Sequence, residues 1–152
     1  MDKGLTEREE QMAALLRATT VALGCRLIRE IGEEETAKVF ADVMNQKLDQ
    51  MEKEGTLGEG FKVLADMVSK TALFNKMDVT FDLENMIAVT KKCGLWEAGK
   101  ALGYADTPLC RRCKANSDAV LARVLPGYKK KILKSLWWGD DECYMIYEKE
   151  EG

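Results

Sequence analysis

The sequence predicts an α+β domain: three N-terminal helices packed on a small antiparallel sheet, with short helices interleaved among the strands and a C-terminal β-hairpin. Three observations carry that expectation. From about residue 5 to 75 the apolar residues recur at helical spacing. After Lys76 the period falls to two, as in Val79, Phe81 and Leu83 alternating with Thr80 and Asp82. From there, glycine and proline stops cut the chain into short pieces. A chain of 152 residues fits one domain, 1–152, large enough to bury a core without disulfides. Its helical front covers about 5–75 and its mixed back about 76–149.

The elements follow in order. Thr6 and Glu9 stand at capping-box spacing and open a helix to about Ile31, before Gly32. Met12, Leu15, Leu16, Leu23, Leu27 and Ile31 give it a mostly one-sided apolar stripe expected to face the core, with Gly24 and Cys25 at a close-packing point. A second helix spans about Glu34 to Glu54, closed by Gly55, with Val39, Phe40, Val43, Met44, Leu48 and Met51 at helical spacing. A third runs from about Glu59 to Phe74 on Phe61, Leu64, Ala65, Val68 and Ala72. Glu84-Asn85 suits a hairpin turn between strands at Val79–Leu83 and Met86–Thr90. Leu95–Leu102 reads as a short helix stopped by Gly103, and Asn116 or Ser117 as the cap of another through Leu125. Tyr128 to Trp138, a turn at Gly139-Asp140 and Cys143 to Tyr147 form the closing hairpin. Adjacent Trp137 and Trp138 on a strand would face opposite sides.

Composition excludes several functions. Apolar residues make up 46% and charged residues 32% of the chain, and the net charge is −3. That balance argues against a general nucleic-acid binder, because a phosphate backbone rewards clustered lysine and arginine. The run Lys129-Lys130-Lys131 reads as a solvated strand entrance. No apolar run approaches the roughly 20 residues of a membrane span. The first ten residues hold no apolar core or cleavage site, so a signal peptide is not expected and a cytoplasmic protein is. There is no histidine, which removes Ser-His and Cys-His nucleophile pairs and every histidine-containing zinc site.

Cys93, the C-x-x-C pair Cys110 and Cys113, and Cys143 fall within the last sixty residues or so of the chain. Four thiols, one pair at metal-clip spacing, suit a tetrahedral Cys₄ site for a soft divalent ion. A redox dithiol and ordinary buried cysteines are the other readings. Zinc ranks above an iron–sulfur cluster, whose common cysteine runs are more compact than the gaps here. A metal bridging these residues would pin an irregular stretch to the sheet, a structural role. Cys25, on the apolar side of the first helix, reads as packing.

Cys93-Gly94-Leu95-Trp96-Glu97-Ala98-Gly99-Lys100-Ala101-Leu102-Gly103, then Leu109-Cys110-Arg111-Arg112-Cys113 and Gly139-Asp140-Asp141-Glu142-Cys143-Tyr144, resemble the C-terminal half of the L-2-amino-thiazoline-4-carboxylic acid hydrolase family. The element order, with G-D-x-x-C-aromatic on a final hairpin, is also similar to the 4-vinyl-reductase-like small-molecule-binding domain. The resemblance covers roughly residues 78 to 148. It implies a domain, with zinc bound, that encloses a small and often hydrophobic ligand. Ser135 stands where the second of these has another cysteine, so its metal site does not transfer directly.

Two functions follow. The first is a small-molecule-binding domain with a structural Cys₄ metal and an apolar cavity lined by Phe40, Met44, Phe61, Phe74, Trp96 and Trp137. The eight methionines read first as core and second as the adaptable wall of such a cavity. The second is a hydrolase of a thiazoline-like ring, for which Asp140 or Glu97 would have to act as base. Asp140, Asp141 and Glu142 read more simply as a solvated turn. Arg111 and Arg112 could receive a ligand carboxylate or balance the thiolates. The expected partners are a small organic ligand and, at most, a second copy in a homodimer, with neither nucleic acid nor membrane.

Overall fold

Capping chemistry sets where the first helices begin and end. In the computed structural model, which describes residues 4–151, α1 (Glu7–Ile31) opens on a complete capping box. Thr6 Oγ1 accepts from Glu9 N at 3.3 Å, and Glu9 Oε2 accepts from Thr6 N at 2.8 Å. α2 (Glu33–Glu54) ends at Gly55, whose φ of 68° is a left-handed cap that a side chain would disfavour. α3 (Phe61–Asn75) follows, then β1 (Asp78–Asp82) and β2 (Ile87–Lys92). Asp82 fixes the turn between these strands by accepting from Asn85 N at 3.0 Å. The remaining elements are α4 (Gly94–Ala101), α5 (Cys110–Val124), β3 (Tyr128–Lys134), a 3₁₀ turn (Leu136–Trp138) and β4 (Cys143–Lys149). Among the described residues this makes five α-helices and one four-stranded antiparallel sheet, the α+β class with its closing hairpin.

The strand order is β1-β2-β4-β3, so the last strand lies inside the sheet. Ala88 pairs with Met145, and Lys130 with Tyr147. The main core lies between the sheet and the helices: Leu48 of α2, Phe61 and Leu64 of α3, and Val120, Leu121 and Val124 of α5 meet Ala88, Met145 and Tyr147. Burial of these side chains is the main stabilising term, on the order of 1.5–3 kcal/mol for each large apolar one. A second cluster joins Val21 and Cys25 of α1 to Leu95, Leu109 and Trp137. It fastens the long first helix to the mixed half of the chain.

Three expectations are corrected. First, α1 packs through its small residues, not its bulky ones. Ala13, Arg17, Val21, Gly24 and Cys25 are buried, whereas Met12, Leu15, Leu16, Leu23 and Ile31 are exposed. The reason is close approach: a Cβ on Gly24 would lie 2.9 Å from Leu109 Cδ2 and 3.4 Å from Phe40 Cζ. Val39 and Val43 of α2 are likewise exposed. Second, the C-x-x-C lies in a helix and not in an irregular stretch, because α5 starts at Cys110, well before the expected cap at Asn116 or Ser117. Leu109 precedes it with no side-chain cap, so the usual start signal is missing. Third, Trp137 and Trp138 lie on the 3₁₀ turn and not on a strand. Ser135 Oγ accepts from Trp137 N at 3.1 Å and winds the chain there. The separation of the two rings survives: Trp137 is buried and Trp138 exposed.

Candidate ligand cavity and its thiol wall

A cavity of about 400 Å³ opens between α2, α3, α5 and the sheet. Its wall on the helix side is apolar, with Met44 and Met51 from α2 and Leu64, Met67 and Val68 from α3. Met77 and Met145 extend it, so five of the eight methionines line one space. Unbranched thioether side chains shape themselves to an irregular occupant at low cost. The opposite wall is polar and comes from β2, α5, β3, the 3₁₀ turn and β4. It carries Thr90, Ser117, Lys130 and Ser135 together with Cys93, Cys110, Cys113 and Cys143.

Ser135 organises the thiol side. Its Oγ lies 3.1 Å from Cys110 Sγ and 4.0 Å from Cys143 Sγ, and it also caps Trp137 N. Cys143 Sγ accepts from Leu136 N at 3.4 Å. Asp140 Oδ2 accepts from Ser135 N at 2.9 Å and so holds the hub from outside the cavity. Burial pushes the Cys93 thiol up to about 11 and the Cys110 thiol up to about 12, and it raises Cys143 as well. Burial works the other way on Lys130, lowering its ammonium, while the thiols and Asp118 act to raise it. Lys130 Nζ donates to Ser117 Oγ at 3.4 Å. Among the described residues, three polar atoms of this wall are buried without a hydrogen-bond partner: Thr90 Oγ1, Arg112 Nε and Asn116 Oδ1. Unpaired buried polar atoms are costly, and they recur where a ligand or water completes them.

The structure brings some of the sequence-predicted residues together and not others. All four cysteines expected as metal ligands line this cavity. Their chemistry suits a soft cation, but as the side chains stand they do not form a ligand set. Among the described residues no three Cys, Asp or Glu side chains are placed to share one ion. The hydroxyl of Ser135 lies against two of the thiols instead. Met44, Trp96 and Trp137 line the cavity, with the two indole rings 5.2 Å apart. Phe40, Phe61 and Phe74 do not line it. Phe40 carries the Arg112 guanidinium at 5.0 Å from its ring centre. Phe61 packs 4.7 Å from the Tyr147 ring in the main core, and Phe74 is half-exposed near the end of α3. Glu97 and Asp140 are exposed and lie outside the cavity wall, Glu97 pairing with Lys100 at 3.1 Å. Of the two arginines, Arg112 lines the cavity while Arg111 lies 3.9 Å from Glu33 on the surface.

Sequence reasoning missed Lys130, Thr90 and Ser117. A signal for Lys130 was present. In a strand the middle of three lysines points away from the other two, and Lys130 shares its face with half-buried Ile132. Among the described residues no helix is long and apolar enough to cross a membrane. No family model matches the chain, and neither a curated protein nor a solved structure is significantly similar to it.

Proposed function

We propose that this chain is a small-molecule-binding domain whose cavity takes a largely apolar organic ligand. The observation that carries the reading is the cavity of about 400 Å³, methionine-lined on one side and bearing unpartnered polar atoms on the other. That size and that mixture of apolar wall with a few convergent polar groups are usual for small-molecule sites. The motif resemblance to the 4-vinyl-reductase-like domain points the same way. Trp96 and Trp137 give the test its signal. Titration with a series of short apolar probes should quench tryptophan emission and raise the melting temperature with concentration, as mass action requires of a native-state ligand. The reading fails if no probe moves either quantity and Met67→Trp, which fills the cavity, leaves the protein unaltered in stability.

A zinc ion on the thiol wall is the second part of the proposal. Cys93, Cys110, Cys113 and Cys143 supply soft donors on one surface, and rotation of Cys110 and Cys143 away from Ser135 is the movement ligation demands. Bound zinc would add its binding free energy to folding. Metal analysis of protein purified under reducing conditions should find about one zinc per chain. Full zinc content in a Cys110→Ser/Cys113→Ser variant would sink this part and leave the cavity untouched. A thiazoline hydrolase has less support. The two carboxylates it needs, Glu97 and Asp140, are outside the cavity wall, and no turnover of 2-amino-thiazoline-4-carboxylate above a blank is expected.

A further inference from the structure

We propose that the cavity's occupant is an amphipathic anion, with an apolar body against the methionine wall and an acid group of the carboxylate type at Lys130. This rests on the cavity being a ligand site and adds the chemistry of what enters it. The charge along the wall is one-sided. Lys47, Lys70, Arg112 and Lys130 line the cavity and among the described residues no aspartate or glutamate does, although acidic residues outnumber basic ones in the chain, 26 to 23. None of these four cations takes part in an ion pair among the described residues.

Lys130 is the decisive group. It is 8% exposed, and among the described residues its Nζ has one hydrogen bond, to Ser117 Oγ at 3.4 Å. An ammonium has three protons to give, so two are free. The carboxylate beside it is committed elsewhere: Asp118 Oδ1 accepts from the Lys130 backbone N at 2.8 Å, and Oδ2 binds Lys114. A buried ammonium with no carboxylate bonded to it is costly, and an anion in the cavity lowers that cost. Thr90 Oγ1 and Arg112 Nε are further buried donors without partners on the same wall, and both suit an acid group that only accepts. Lys47 and Lys70 are exposed on α2 and α3 at the rim. The positive charges thus run from rim to floor, which draws an anion inward and repels a cation. The five methionines require the rest of the ligand to be apolar, so a small inorganic anion fills only part of the space.

Calorimetric titration with decanoate, 1-decanol and decylamine at neutral pH tests this, on protein with and without one equivalent of zinc. These probes share a chain and differ at the head. Decanoate should bind about tenfold or more tighter than decanol, the scale of one hydrogen bond to a charged group, and decylamine more weakly than either. Lys130→Met should bring decanoate and decanol to within about twofold while leaving decanol bound. Thr90→Val, a milder change, should narrow the gap partway and serves if Lys130→Met does not fold. Equal binding of decanoate and decanol by the unaltered protein overturns the proposal but keeps the cavity as a ligand site. So does a preference that Lys130→Met leaves intact. A preference that vanishes when zinc is added assigns the Lys130 charge to metal-bound thiolates and also overturns it. Binding of none of the three probes overturns both readings together.

Discussion

Gly99 shows how little space separates α4 from the 3₁₀ turn. A Cβ there would lie 2.6 Å from Trp137 Cζ2 and 2.8 Å from its Cη2, and Trp137 is held in place by Nε1 donating to Tyr104 O at 3.2 Å. Gly99→Ala should therefore cost about 1–3 kcal/mol through overpacking and shift tryptophan emission to the red, both read in a urea titration followed by fluorescence. Cys25 gives a second prediction. Its thiol donates to Thr107 O at 3.4 Å, and burial pushes it up to about 11 from an ordinary 9.0, against the opposing pull of Arg29. A thiol raised on folding contributes stability that is whole below the unfolded value and lost as pH climbs through the folded one. Stability should thus fall between pH 9 and about 11, and Cys25→Ala should flatten that limb in denaturation midpoints measured across the range. At this scale the site was half legible in the sequence. Cysteine spacing located the thiol wall because covalent chemistry is written in residue type. Lys130 was hidden because a lysine's burial depends on which strand face meets the helices, and three lysines in a row look alike.

α1 carries the clearest element-scale lesson. Its ends were legible, since Thr6, Glu9 and Gly32 act through local hydrogen bonds. Its orientation was not, because bulky apolar residues on one side and small ones on the other both offer a packing face. Close approach to Leu109 and Phe40 at Gly24 selects the small face. Ala13→Leu should accordingly destabilise by about 1–3 kcal/mol, as overpacking of a buried contact does. Leu16→Gln should stay within about 0.5 kcal/mol, with both read by chemical denaturation of dilute protein. The reverse order would mean that α1 is rotated about its axis from the position described. α5 was misjudged for another reason. With no cap at Leu109, its first turn had no local mark in the sequence, and tertiary packing of Leu121 and Val124 fixes where the helix lies. The strands were easier, because alternation in β1 and the tight turn at Asp82 to Asn85 are local features.

The exposed stripe of Met12, Leu15, Leu16 and Leu23 has a consequence for the whole molecule. A second copy of the chain is one occupant this stripe could take, and sedimentation tests it. Two α1 helices paired antiparallel about the middle of the stripe would set Glu9 of each opposite Arg26 of the other, joining apolar and charge complementarity. Sedimentation velocity should show a concentration-dependent dimer, and Leu15→Glu should leave a folded monomer. A wild-type chain that stays monomeric at high micromolar concentration rules this pairing out.

The position of β4 also orders events in time. Among the described residues it is the last strand made, yet it lies between β2 and β3, and Ile87 must find Ile146 across most of the mixed half. During synthesis the N-terminal helices can form as they emerge, but pairings of such separation are slow and wait for their partner. Until residues 143–149 are available, β2 keeps an open edge, β3 has no neighbour, and Cys143 and Met145 are missing from the cavity. A nascent chain is therefore most exposed to aggregation just before β4 is released, and its cavity is complete only afterwards.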